Sequence, residues 1–164
     1  MDILGQITIE FLLIIGLILI MILVTVSYVG DEIELIETMS TARSGAIEGA
    51  SINSFAIYPE DSFYNSIEKH PRILSPNQVK IIKIDYKNFG FDSYYNKIKI
   101  QIHITASAST VNLDDKNPLG DRINFYTRKR ICESFSTSNL TNREFNPAYS
   151  KKYVFTTSEV KWIK

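Results

Sequence analysis

From Phe11 to Val26 every residue except Gly16 and Thr25 is apolar, and Ser27-Tyr28-Val29 extends the run. Its length is close to the roughly 20 residues with which a helix crosses a bilayer core of ~30 Å. Tyr28 stands where an interfacial aromatic anchor belongs, and Gly30-Asp31-Glu32 marks the exit into water. A buried core helix of a soluble domain fits less well, because the run is long and has no polar face. A single carboxylate, Glu10, stands at the front of this stretch.

Beyond the apolar run the helical period continues from Asp31 to about Ile52. Ile33, Ile36, Met39, Ala46, Ile47 and Ala50 recur at helical spacings, with Glu32, Glu34, Glu37 and Glu48 mostly between them. These apolar positions predict a face packed on the rest of the protein. The small residues of "STARSGAIEGAS" permit close approach to a sheet or a neighbouring helix. Together the two halves predict one spine of some forty-five residues, about 65 Å long at 1.5 Å per residue. Pro59 within "AIYPEDSF" signals the loop that ends it.

The period then changes to two. In "KIKIQIHITASA" (97–108) the four isoleucines and two alanines face one way, and Lys97, Lys99, Gln101, His103, Thr105 and Ser107 the other. That alternation predicts a half-buried antiparallel strand. "VKIIKIDY" (79–86) predicts its hairpin partner, with "KNFGFDS" as the turn. "RINFYTRKRICESF" (122–135) and the stretch from "KYVFTT" to "VKWI" (152–163) predict further strands. The expected architecture is α+β: residues 6–29 an apolar helix, 30–52 its amphipathic continuation, and 53–164 a head built on a small antiparallel sheet.

Composition narrows the function. Eighteen basic and eighteen acidic residues cancel, which argues against a general nucleic-acid binder. The lone Cys132 excludes an intrachain disulfide and reads as a buried strand cysteine rather than a nucleophile. His70 and His103 lack further ligands at metal-binding spacing. No phosphate-binding loop is present. The acidic cluster Asp114, Asp115 and Asp121 around Pro118 reads as a turn, and "TRKR" (127–130) as a charged strand edge. Tyr94 and Tyr95 fit plain sheet composition as well as an adhesive surface. The expectation is a non-enzymatic protein without metal or cofactor. Asn139-Leu140-Thr141 is an acceptor sequon for N-glycosylation.

Glu10 carries the functional argument. A carboxylate within a membrane helix costs on the order of 3 kcal/mol, so it calls for a partner or a task. No basic residue precedes Arg43, and no small-residue cleavage site follows the apolar run, unlike a secretory signal. The small residue Gly5 lies in front instead. Cleavage after Gly5 leaves the helix in the mature chain and creates an α-amino group on Gln6, largely cationic at neutral pH. A neighbouring subunit, shifted along the helix axis, could present that amine to Glu10. The alternative is that Glu10 snorkels to the headgroups.

Gly5-Gln6-Ile7-Thr8-Ile9-Glu10-Phe11-Leu12-Leu13 resembles the class III signal peptide of archaeal type IV pilin-like proteins. Gly5, Gln6, Thr8 and Glu10 stand at that family's motif positions. The family normally places Lys or Arg before the Gly, whereas Met1-Asp2-Ile3-Leu4 has neither. The resemblance covers about thirty residues. It implies removal of residues 1–5 by a prepilin peptidase, storage in membrane lipid, and assembly with copies of itself or other pilins by a pilus assembly platform. The product is a surface filament serving attachment. Two other readings stay open: an uncleaved signal-anchored surface binding protein, and a pseudopilin-like component of a secretion or uptake machine.

Overall fold

Leucine and methionine lose little rotamer freedom in a helix, and a dense apolar run has no turn residue to end it. The run and the segment after it form one 49-residue helix, α1 (Ile3–Ser51). The computed structural model describes residues 3–51, 79–109, 111, 113–141 and 145–163. The expected loop around "AIYPEDSF" and the candidate ligand His70 lie outside these residues. The chain divides inside α1 into two compact units, one ending at Ile36 and the other beginning at Glu37.

The second unit is the head. Its sheet is built on a hairpin of β1 (Lys80–Asp92) and β2 (Lys97–Ser107), paired antiparallel. The alternation expected of β2 is present: Ile100, Ile102, Ile104 and Ala106 are buried and the residues between them are half-buried. Fully burying each isoleucine contributes about 1.5–3 kcal/mol. The hairpin turn differs from expectation. β1 runs on through "KNFGFD", and the chain reverses at residues 93–96, where Asn96 has φ 53°. Asp92 Oδ1 accepts the Tyr94 N–H at 3.0 Å and fixes this turn. Gly90, at φ 80°, instead marks a β-bulge between Asn88 and Phe91, with its N–H donated to Asn88 Oδ1.

The main correction concerns residues 113–134. Both the acidic turn and the strand expected there are parts of one 22-residue helix, α2 (Leu113–Ser134), with Pro118 inside it. Leu119, Ile123, Thr127 and Ile131 recur every four residues and are all buried. Asp114 and Asp115 fall in the first turn, where the helix dipole favours carboxylates. The far end closes in a Schellman arrangement. Thr137 N–H reaches Cys132 O at 2.8 Å, Ser136 N–H reaches Glu133 O, and Ser136 takes the left-handed conformation at φ 54°. A short 3-10 helix (Ser138–Leu140) follows.

Because α2 carries the chain back across the sheet, the next long strand enters parallel to β2. β3 (Ala148–Tyr149) pairs antiparallel with β4 (Tyr153–Thr157), while β4 and β5 (Lys161–Ile163) both lie parallel to β2. The sheet is therefore mixed, of order β1-β2-β4-β3 with β5 beside the later part of β2. α2 lies against β3 and β4.

In the head, α1 buries Thr38, Ala42, Gly45, Ala46, Gly49 and Ala50. Three isoleucines expected on the packed face, Ile33, Ile36 and Ile47, are exposed. The buried face is made of small residues because the partner comes too close for large ones. A Cβ on Gly45 would lie 2.5 Å from Tyr126 O, and one on Gly49 would lie 2.8 Å from Ile123 Cα. Backbone meets backbone at this crossing, and the buried Arg122 ties it by donating from Nε to Gly49 O at 2.7 Å. Burial pushes the Arg122 guanidinium down to about 10.

Candidate functional site

The first unit exposes its whole apolar run. Phe11, Leu12, Leu13 and the large side chains through Val29 are all exposed, and none of the hydrophobic window is buried within the described chain. A contiguous exposed apolar surface of this extent marks contact with lipid or protein. The helix is long and apolar enough to cross a membrane.

Its polar side chains sort into two kinds. Thr25 Oγ1 donates to Met21 O at 2.8 Å, and Ser27 Oγ donates to Leu23 O at 2.9 Å. These hydroxyls are satisfied by the helix's own carbonyls, so neither requires water. Glu10 is different. It is exposed on the helix and makes no hydrogen bond or ion pair among the described residues. Between Ile9 and Val29 it is the one charged side chain. Gly5 and Gln6 lie in the first turns of the same helix. Gln6 precedes Glu10 by four residues, one turn of helix.

The other candidates fall elsewhere. Asn139 is exposed in the 3-10 helix, open to modification. Cys132 is fully buried on α2, not on a strand, and burial pushes its thiol up. A thiol so placed is shielded from pairing with another subunit. His103 stays on β2, with Nδ1 3.0 Å from Ser158 Oγ. Asp114, Asp115 and Asp121 are spread along α2 instead of round a turn. Among the described residues no group of three or more His, Cys, Asp or Glu is placed to hold a metal.

The "TRKR" segment is helical, and its cations are used inside the head. Arg128 Nη1 donates to Thr157 Oγ1 at 2.6 Å, bridging α2 to β4. Arg130 pairs with Glu48 of α1 and with Glu133, and the Glu48 hydrogen bond raises its pKa. Ser134 Oγ donates to Glu37 Oε1 at 2.7 Å. These polar ties between α1 and α2 were hidden in the sequence because a strand reading splits Arg128 and Arg130 from any helical partner. Tyr94 and Tyr95 sit at the β1–β2 turn in edge-to-face contact at 4.7 Å, and Tyr95 also faces Tyr149.

Comparison with models of protein families, with characterised proteins and with solved structures finds no match to this chain.

Proposed function

We propose that this chain is a type IV pilin-like subunit: a structural component of a surface filament, processed after Gly5 and assembled through its apolar helix. The observation that carries the reading is the exposed apolar run of α1 from Phe11 to Val29, headed by one carboxylate, Glu10, that has no partner among the described residues. Before assembly, membrane lipid covers the helix. In the filament, the helices of neighbouring copies, or of other pilins, take the lipid's place.

The charge logic follows from helix physics. A mature chain starting at Gln6 carries an α-amino cation at the positive end of the helix dipole. In a low-dielectric helix bundle that end attracts the Glu10 carboxylate of a copy displaced along the axis, which fixes the stagger while neutralising both groups. The GQxTxE motif supports the same processing step. The head supplies the outer surface, and Asn139 is its candidate glycan acceptor. A prepilin peptidase and an assembly platform are the implied partners in the membrane.

Mechanical shearing of cells from the native source tests this directly. The filament reading expects the chain in the sheared surface fraction, in a form that sediments as a polymer. A chain found wholly in the membrane pellet, with nothing released by shear, supports the uncleaved signal-anchored protein instead.

A further inference from the structure

β1 forms one edge of the sheet. Among the described residues it pairs only with β2, so its other side presents a row of unpaired backbone groups along a strand of 13 residues. Such an edge is a template for another strand. Its large side chains are open as well: Ile82, Tyr86, Phe89 and Phe91 are all exposed.

Proteins ordinarily blunt a free edge with lysines and bulges, and β1 has both. Their arrangement is symmetric about Tyr86. Asp85 stands one residue before it and Lys87 one residue after, while Lys80 and Asp92 stand equally far on either side. The bulges follow the same symmetry. The first leaves Ile82 without a register partner on β2, and the second leaves Phe89 and Gly90 without one. Ile82 and Gly90 are equidistant from Tyr86.

A second copy of β1, laid antiparallel with Tyr86 opposite Tyr86, turns this symmetry into contacts. Asp85 of each copy faces Lys87 of the other, Lys80 faces Asp92, and Lys83 faces the ring of Phe89. The bulged stretches fall opposite each other, so the register holds on both sides of the centre. Slipped registers are penalised. Sliding one strand by two residues, the smallest step that keeps each face on its own side, sets Lys83 against Lys87 and Asp85 against Asp85. The same step the other way sets Lys87 against Lys87. Directly opposed like charges are destabilising and opposite charges stabilising, so the charges select the centred register.

Asp85 and Lys87 lie opposite His103 and Gln101 of β2, on the face away from the buried isoleucines. Asp85 forms an exposed ion pair with Lys83 at 2.6 Å, its side chain 46% accessible. Asp92 is occupied by the hairpin turn, where it accepts the Tyr94 N–H. The central Asp85–Lys87 pairs therefore carry the discrimination.

We propose that β1 is a self-complementary docking edge through which the heads of two copies join, their sheets continuing antiparallel about Tyr86. The contact uses no residue of α1 and is independent of assembly through that helix.

The full chain is loaded at one copy per lipid nanodisc, so that each α1 is enclosed in its own disc and only heads can meet. Sedimentation velocity at rising concentration should show discs pairing reversibly. Asp85→Lys and Lys87→Asp, each checked for unchanged circular dichroism, should weaken pairing about tenfold or more when alone. Mixed one to one, they should pair as the parent does, because each reversed strand then meets its complement. A second measurement uses oxidation. Tyr86→Cys should give a disulfide-linked dimer, whereas Lys87→Cys should not, since it stands two residues out of register with its own copy and beyond disulfide reach. Parent discs that stay single up to about 100 μM overturn the proposal. So does pairing that neither charge reversal weakens, a mixture that pairs no better than its components, or equal cross-linking of the two cysteine variants.

Discussion

Replacing Gly45 with valine is expected to unfold the head while leaving the apolar helix intact. The first added carbon would sit 2.5 Å from Tyr126 O and 2.8 Å from Thr127 Cα, and both are backbone atoms that no rotamer change can move. α2 would have to withdraw from α1. Overpacking of this kind typically costs 1–3 kcal/mol, about the scale at which cores rearrange. Withdrawal also strips the buried Arg122 Nε of Gly49 O, adding roughly 1–3 kcal/mol for an unsatisfied buried donor. The sum, about 2–6 kcal/mol, is a large share of the 5–15 kcal/mol that a domain has in hand. The matching control is Gly16→Ala, where nothing lies within 4 Å of the new carbon. Near-ultraviolet circular dichroism and limited proteolysis of the full chain should show a lost head for Gly45→Val and a native one for Gly16→Ala. A native head in Gly45→Val contradicts the close crossing of the two helices.

The elements read correctly from the sequence are those whose pattern admits one solution. β2 alternates without a break from Ile98 to Ala108, so its buried face follows from the period alone. The apolar run of α1 follows from its length. α2 was illegible for two local reasons: Pro118 and Gly120 imitate a turn, and the β-branched and aromatic residues of "RINFYT" imitate a strand. Its real signature, Leu119, Ile123, Thr127 and Ile131, includes a threonine and is easily passed over. Missing α2 also cost the sheet topology, since without a crossover helix every neighbour of β2 is expected antiparallel. On α1 the error was to let size decide the packed face. The large isoleucines face outward and the glycines and alanines inward, because close helix contact selects for small side chains.

The second large effect is expected at Glu10. Glu10→Gln keeps the shape and hydrogen-bonding capacity of the side chain and removes only its charge. Processing should continue, because the site between Gly5 and Gln6 is unaltered, and the helix should enter the membrane at least as readily. Assembly should fail. The Gln6 amine is then left as an unpaired charge in an apolar environment, a cost on the order of 3 kcal/mol that weakens each subunit contact about 100-fold. Repeated along a polymer, that factor abolishes filaments. Quantifying the chain in sheared and membrane fractions checks this, with Glu10→Asp as a partial rescue that retains charge at shorter reach. Filaments formed by Glu10→Gln at parental yield contradict the pairing.

Assembly through α1 requires that the apolar helix be kept after the leader is cut away. The intact mass of the chain isolated from its native membrane or filament, with the sequence of its N-terminal peptide, measures that in one step. A mature chain that begins at Gln6 and retains Glu10 and the full apolar run is expected. A chain that still carries Met1 to Gly5, or one that has lost the helix together with the leader, contradicts it.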